Sequence, residues 1–231
     1  LCEGIVKNVF IGDSDSLIMK TGDLKEILLF LYETFPHLEK VTSYARAKTL
    51  FKKGIEDLKA LRKAGLTRLH VGLESGDDTI LRSINKVATA EEMILAGQKA
   101  LEAGFELSEY VMPGLGGQER WEQHARETAR VLNRINPHFI RLRTLNLSMA
   151  PDTPLSDKAK RGEFNIQSLE GLVIEVRTLI EELNVLSEFV ATDFAQNYYL
   201  MDVDGKLPED KEKMLKSLDT AAEWIRSKRT I

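Results

Sequence analysis

Short runs rich in Val, Ile, Leu and Phe alternate along this chain with longer stretches whose apolar residues recur every three or four positions. That alternation restricts the fold more than any other feature, because successive βα units bury their apolar faces together as a parallel sheet covered by helices. Strand-like runs stand at 6–11, 41–45, 68–73, 105–112 and 139–147, with a sixth at 185–192. Behind an Asp23/Glu26 capping box, Leu24, Ile27, Leu28 and Leu31 make a helical stripe, and Ile55, Leu58 and Leu61 make another. Thr89 and Glu92 form a second capping box, and Trp121, Ala125, Thr128, Leu132 and Ile135 mark a long helix. Ala64-Gly65 and Ala103-Gly104 each end a helix where glycine supplies a left-handed residue. The clearest amphipathic stripe is Leu169, Leu172, Val173, Val176, Leu179, Ile180 and Leu183. Pro208 suits the first position of a last helix carried by Met214, Leu218, Ala222 and Ile225. The segments 63–76 and 102–117 share one layout, a helix ending at Ala-Gly, a strand, then a Gly-bearing loop, but the period is too irregular for a solenoid. The expected fold class is α/β with a parallel sheet, open or curled into a barrel, followed by a helical C-terminal extension.

Composition narrows the function classes. A net charge of −4 with both signs mixed argues against general nucleic-acid binding, which wants a basic face. No apolar run is long enough to span a bilayer. The single cysteine, Cys2, forbids an internal disulfide and fits a reducing, cytoplasmic setting.

In either sheet architecture ligands sit at the carboxyl ends of the strands. Five loops are expected there: GDSDS (12–16), YARA (44–47), GLESG (72–76), PGLGG (113–117) and RTLNLS (143–148). GLGGQE (114–119) is neither a phosphate loop, since no Lys-Ser/Thr follows, nor a dinucleotide fingerprint, since Glu119 stands where the third glycine belongs. Its bareness means either a tight strand-to-helix turn or a ligand lying on the backbone. Asp13 and Asp15 are alternate residues and share a side if the segment is extended; they could hold a cation, an ammonium group or a sugar, do acid–base work, or be solvated turn residues. Glu74-Ser75 closes a strongly apolar strand, where binding groups sit in βα folds. Arg141 and Arg143 also alternate and, if buried, need an anion: a ligand carboxylate, Asp13 or Glu74. The four histidines show no zinc spacing. Asn197, Tyr198 and Tyr199 either line a pocket or pack.

Residues 49–86 followed by VMPGLGGQE (111–119), TLNLSMAPDTPL (144–155) and GKLPEDKEKML (205–215) resemble the radical S-adenosylmethionine superfamily, within it the Fe–S oxidoreductases related to oxygen-independent coproporphyrinogen oxidase and Elp3-type proteins. The resemblance implies a partial (β/α)6 TIM-like barrel of parallel strands lacking its first βα unit, with a truncated barrel core at 1–155 and an α-rich extension at 156–231. It implies a [4Fe–4S] cluster on three cysteines of a C-x3-C-x2-C loop, with S-adenosylmethionine on the fourth iron, cleaved reductively to a 5′-deoxyadenosyl radical. By resemblance Asp13, Ser14 and Asp15 stand where the family contacts the methionyl amine, although its Gly-Gly-Glu segment is not kept. Glu74 and Ser75 match the contacts to ribose or the methionyl carboxylate; Gly114, Gly116 and Gly117 match the adenine-supporting motif; Arg143 is a further candidate. The cysteine motif itself is absent, and Cys2 alone cannot hold a cubane cluster. The expectation is a fragment, inactive alone, whose cluster loop lies upstream, acting on an unknown small-molecule or macromolecular substrate. Its exposed first strand could pair between copies. The alternatives are a cluster-free βα-barrel hydrolase or aldolase using Asp13, Asp15 or Glu74, and a nucleotide-binding module without chemistry.

Overall fold

The computed structural model describes residues 5–200 and 202–229, so Cys2 lies outside the described residues. Seven strands form one sheet in unbroken chain order: β1 (Asn8–Ile11), β2 (Lys40–Ala45), β3 (Leu66–Glu74), β4 (Glu106–Val111), β5 (Phe139–Leu142), β6 (Glu188–Val190) and β7 (Gly205–Lys206). The first six are parallel and β7 returns antiparallel to β6. The α/β reading therefore holds, and the sheet stays open at β1 and β7.

Each parallel strand pairs with the next in sequence, so the crossovers all have one hand and lay their helices on one face. The helices are α1 (Thr21–Thr34), α2 (Ala47–Lys52), α3 (Ile55–Lys63), α4 (Asp78–Ser83), α5 (Ala90–Glu102), α6 (Gly117–Ile135), α7 (Pro154–Lys160), α8 (Leu169–Glu182) and α9 (Lys211–Arg229). α1 packs on α3, and a continuous run of contacts joins α2, α5, α6, α8 and α9. The covered face of the sheet carries Val41, Leu69, Val71, Leu107 and Ile140, all nearly inaccessible to solvent. Residues of the opposite parity, Thr42, Tyr44, His70, Tyr110 and Arg141, point to the opposite face, as strand alternation requires. Among the described residues no helix is long and apolar enough to cross a membrane.

Local signals were met where the chain itself supplies the partner. Thr89 and Glu92 make the reciprocal capping box that opens α5, and Gly65 and Gly104 take φ of +108° and +87°. Elsewhere tertiary contacts moved the boundaries. α1 begins at Thr21 with Lys20 at its N-cap and no side-chain cap, so Asp23 and Glu26 make no capping box; Asp23 instead lies in the first turn, where it complements the helix dipole. β5 ends at Leu142, although Arg143 N and Leu145 N go on to bond the carbonyls of Val111 and Pro113 at 2.8 and 2.9 Å before Asn146 caps the turn that follows. Pro208 precedes α9 rather than opening it, its carbonyl accepting from Lys211 N at 3.2 Å. The short α2 and α7 and the two-residue β7 lack enough periodic residues to be read from sequence.

One close approach limits substitution. A Cβ on Gly76 would lie 2.2 Å from the Glu127 carbonyl oxygen of α6, which is backbone and cannot turn aside. Gly76→Ala is expected to lower stability by roughly 1–3 kcal/mol through overpacking, and Thr89→Ala by about 1 kcal/mol through loss of the cap. Urea titration checks both: Gly76→Ala should have the lower midpoint, with the slope unchanged.

Candidate active site

The open face of the sheet and the carboxyl ends of its strands enclose a cavity of about 420 Å³. It is lined by Ser14 after β1, by Tyr44, Ala45 and Arg46 at the end of β2, by His70, Gly72 and Glu74 of β3, by Lys86 between α4 and α5, by Tyr110 and Met112 at β4, and by Arg143 just past β5. Four of the five loops read from the sequence thus meet at one mouth. The fifth contributes a second, apolar chamber of about 300 Å³ next to it, walled by Met112, Leu115, Leu145, Leu147 and Leu155 among others. Met112 belongs to both, so the chambers adjoin.

Glu74 is the centre of the first chamber. Its φ is +61°, a left-handed state that costs a residue with a Cβ about 1–2 kcal/mol. The register with β4 slips between Gly72 and Glu74, a bulge that turns the side chain into the cavity. The carboxylate meets Lys86 Nζ at 3.2 Å. A Cβ on Gly72 would lie 2.2 Å from Glu74 Oε1, so Gly72 is bare to let this carboxylate fold over the strand. The strained backbone is held from behind: the Glu74 carbonyl accepts from Met112 N at 3.0 Å and from His124 Nε2 at 3.1 Å. His124 Nδ1 bonds Glu175 Oε1 at 2.7 Å, and the same oxygen accepts from Gly114 N at 2.9 Å. Burial disfavours a charged ring, but the bond to Glu175, the charges of Glu175 and Asp77 and the bond to the Glu74 carbonyl together outweigh it and keep the His124 pKa above its ordinary value. This buried pair joins α6, α8, the Glu74 turn and the glycine turn; nothing in the spacing of His124 in the sequence announced it.

The other expected residues separate. Ser14 lines the cavity, but Asp13 and Asp15 do not share a side. Asp13 has φ +71° and is exposed, its carboxylate accepting from Ser14 N at 2.6 Å, so the segment is not extended. Asp15 is buried and accepts from Arg46 N at 3.2 Å and Thr49 Oγ1 at 2.5 Å, clamping the first loop to α2. Ser75 is fully buried and its hydroxyl accepts from Asp77 N at 3.0 Å, so it shapes the turn from outside the cavity. Gly114, Gly116 and Gly117 line neither chamber. Protein atoms already crowd them: Leu172 Cδ2 would lie 3.0 Å from a Cβ on Gly114, Arg120 O 2.8 Å from one on Gly116, and Asn165 O 2.8 Å from one on Gly117. The bareness of this turn is thus met by packing against α6, α8 and the 164–165 segment. Arg141 and Arg143 do face one side, but their anion is Asp193, beyond β6, and neither Asp13 nor Glu74. Asn197 packs, bonded by Thr144 Oγ1 at 2.6 Å, whereas Tyr198 and Tyr199 line a separate cavity of about 500 Å³ with Leu169, Trp224 and Ile225, Tyr199 also bonding Thr144 Oγ1 at 2.6 Å.

Sequence reasoning did not single out Tyr44, Arg46, His70, Lys86 and Tyr110. Period-two parity along strands already placed at the cavity was the available signal for Tyr44, His70 and Tyr110. With Phe10 they make an aromatic surface, ring centroids 4.8 Å apart for Phe10–Tyr44, 6.1 Å for Tyr44–His70 and 5.9 Å for His70–Tyr110.

The sequence pattern of the Radical SAM superfamily matches residues 2–129, more than half of the chain. The chain belongs to the radical S-adenosylmethionine superfamily. It is 24% identical over 195 residues to the heme chaperone HemW of Bacillus subtilis strain 168, a match that takes in 83% of this chain and 50% of that protein. The chain thus spans about half the length of that curated relative. Its fold is similar to the archaeal Elp3 of Methanocaldococcus infernus (TM-score 0.63, 17% identity, 79% of this chain and 46% of that one). It is also similar to coproporphyrinogen III oxidase (HemN) of Escherichia coli (TM-score 0.57, 16% identity, 77% and 39%). A third likeness, to methylornithine synthase PylB (TM-score 0.54, 14% identity), covers 95% of this chain and 68% of that one.

Within this radical S-adenosylmethionine fold, burial and then the charges of Arg68, Arg141 and Arg143 push His70 down to about 4 from its ordinary 6.5. The unfolded chain therefore takes up the proton first as pH falls. The contribution of neutral His70 to stability is whole above about pH 6.5 and is lost as pH falls toward 4. His70→Gln should flatten the decline of the urea midpoint between pH 7 and pH 4.5 relative to the parent; an unchanged decline would mean that the ring is not held neutral.

Proposed function

We propose that this chain is the S-adenosylmethionine-binding part of a radical enzyme whose full-length form cleaves that cofactor reductively, with the cluster cysteines in sequence outside residues 1–231. The observation that carries this reading is the pair of adjoining chambers, one with charged side chains set among aromatic rings and one apolar, meeting at Met112 at the carboxyl end of β4. Such a pair suits a ligand with a zwitterionic end, a diol and a flat base. Ser14, Glu74 and Lys86 offer a hydroxyl, a carboxylate and an ammonium group to the amino-acid and ribose portions. Met112, Leu115 and Leu145 offer an apolar slot to the base, next to the turn that carries Gly114.

The iron–sulfur cluster finds no such fit. Among the described residues no group of three His, Cys, Asp or Glu side chains could hold a metal ion, and no step is assigned to a cluster on this chain. Bound S-adenosylmethionine, held by Ser14, Glu74 and Lys86, would supply hydrogen-abstracting radical chemistry. This chain's residues bind and orient: Gly72 leaves room for the Glu74 carboxylate, Lys86 fixes it, and the His124–Glu175 pair holds its backbone. The aromatic surface keeps water from the floor of the cavity.

The full-length protein, reconstituted anaerobically with iron and sulfide, should show a [4Fe–4S] signal in paramagnetic resonance and form 5′-deoxyadenosine with methionine. Glu74→Gln should weaken S-adenosylmethionine binding about tenfold, as expected for loss of a charge-assisted bond, while the fold and cluster signal stay. A full-length protein without a three-cysteine loop, or one that forms no cluster, would refute the reading.

A further inference from the structure

The cavity of about 500 Å³ beside α9 shares no lining residue with the two chambers at the strand ends. It is framed by α9, by Leu169 at the start of α8, and by Tyr198, Tyr199 and Asp202 between β6 and β7. On α9, Ser217, Thr220, Ala221 and Trp224 recur at helical spacing and so share one face. The small side chains of that face leave the hollow, with Trp224 and Ile225 a turn further on.

Aromatic rings dominate its walls. Those of Tyr198 and Tyr199 stand at 85° to one another with centroids 5.9 Å apart, two surfaces set nearly at right angles. Tyr199 is held in place by its bond to Thr144 Oγ1 at 2.6 Å, and Thr144 is anchored in turn by buried Asn197 at 2.6 Å. Tyr198 is 69% exposed and Trp224 61% exposed. Two large rings left open around one hollow form a patch, which is a different matter from scattered surface residues. The faces of such rings attract cations. Lys228 Nζ already stands 5.9 Å from the Trp224 centroid, the outer limit of such a contact, on an exposed side chain of the last turn of α9.

Asp202 is the one charged side chain among those lining the cavity, and it makes no ion pair or hydrogen bond with a described residue. On the flanking helices, Glu170 Oε1 bonds Arg226 Nε and Asp219 Oδ1 bonds Arg177 Nε, each at 2.6 Å. A carboxylate without a cation, set with ring faces, complements a positive charge. The remaining lining is Leu169, Ala221 and Ile225 with the hydroxyls of Ser217 and Thr220, which could not satisfy the three N–H groups of a bare ammonium. A quaternary ammonium has no N–H to satisfy and is recognised by aromatic faces. We infer that this cavity binds a small organic cation of the quaternary-ammonium class, its head among Tyr198, Trp224 and Asp202 and its apolar body along Leu169, Ala221 and Ile225. Lys228 gives way to it. The inference is independent of the cofactor reading, because it uses none of the residues assigned to S-adenosylmethionine.

The test is calorimetry on the full-length protein with hexyltrimethylammonium as probe, and with choline and its uncharged isostere 3,3-dimethylbutan-1-ol as a matched pair. Hexyltrimethylammonium should bind more tightly than choline, through its apolar chain. Choline should bind roughly tenfold more tightly than the isostere. Trp224→Leu and Asp202→Asn should each weaken hexyltrimethylammonium several-fold, and the double variant should bind choline and its isostere alike. Both positions are exposed, and thermal melting of each variant verifies the fold. No binding of hexyltrimethylammonium, as when another stretch of the full-length protein fills the hollow, would overturn the proposal. So would equal binding of choline and its isostere, or a preference that survives the double substitution. Displacement of the probe by S-adenosylhomocysteine, which lacks the sulfonium charge, would place the probe at the strand ends and overturn it as well. Failure of S-adenosylhomocysteine to bind, with hexyltrimethylammonium bound, removes the cofactor reading and leaves this site standing.

Discussion

The whole molecule depends on a parallel sheet in which every strand hydrogen-bonds to its neighbour in sequence. Because the crossovers share one hand, the helices must all lie on one side. Hydrophobic burial is then spent on that side alone, through Leu69, Val71, Leu107 and Ile140 against α2, α3, α5 and α6. The other side has no helix to satisfy it and is free to carry Tyr44, His70, Tyr110 and Arg141. A doubly wound sheet would have placed helices on both faces and left only a crevice at a switch point. Here the second face is itself the wall of the site.

That division explains where strain is placed. Glu74 ends the longest strand, and its left-handed backbone swings the carboxylate into the cavity instead of continuing the ladder. An isolated turn would relax. This one is tied on the helix side by the His124 bond to its carbonyl and by Gly76 N donating to Thr128 Oγ1 at 2.9 Å. His124 in turn is tied by Glu175 to α8, an element far along the chain. The Glu175 carboxylate accepts from both His124 and Gly114 N, so the Glu74 and glycine turns are braced by one buried side chain. The extension that follows the fifth strand is thus part of the support of the cavity.

The sequence carried the architecture and the address of the site better than its members. Strand and helix order follow from periodicity, and strand ends are where βα proteins bind ligands, so the loops near 14, 45, 74 and 143 could be placed without coordinates. Which side chain of a loop faces inward depends on one dihedral angle, and that is not legible. Asp13 and Asp15 look equivalent in the sequence, yet a positive φ at Asp13 sends one into solvent and the other under α2. The glycines taught a similar lesson. GLGG drew notice by density, but its neighbours are Leu172, Arg120 and Asn165, whereas the lone Gly72, unremarkable in HVGLES, is the one whose missing Cβ makes room for a charged group in the cavity. Glycine density reports close approach without saying by what. Asp193, Lys86 and the His124–Glu175 pair are long-range partners, invisible to any local pattern.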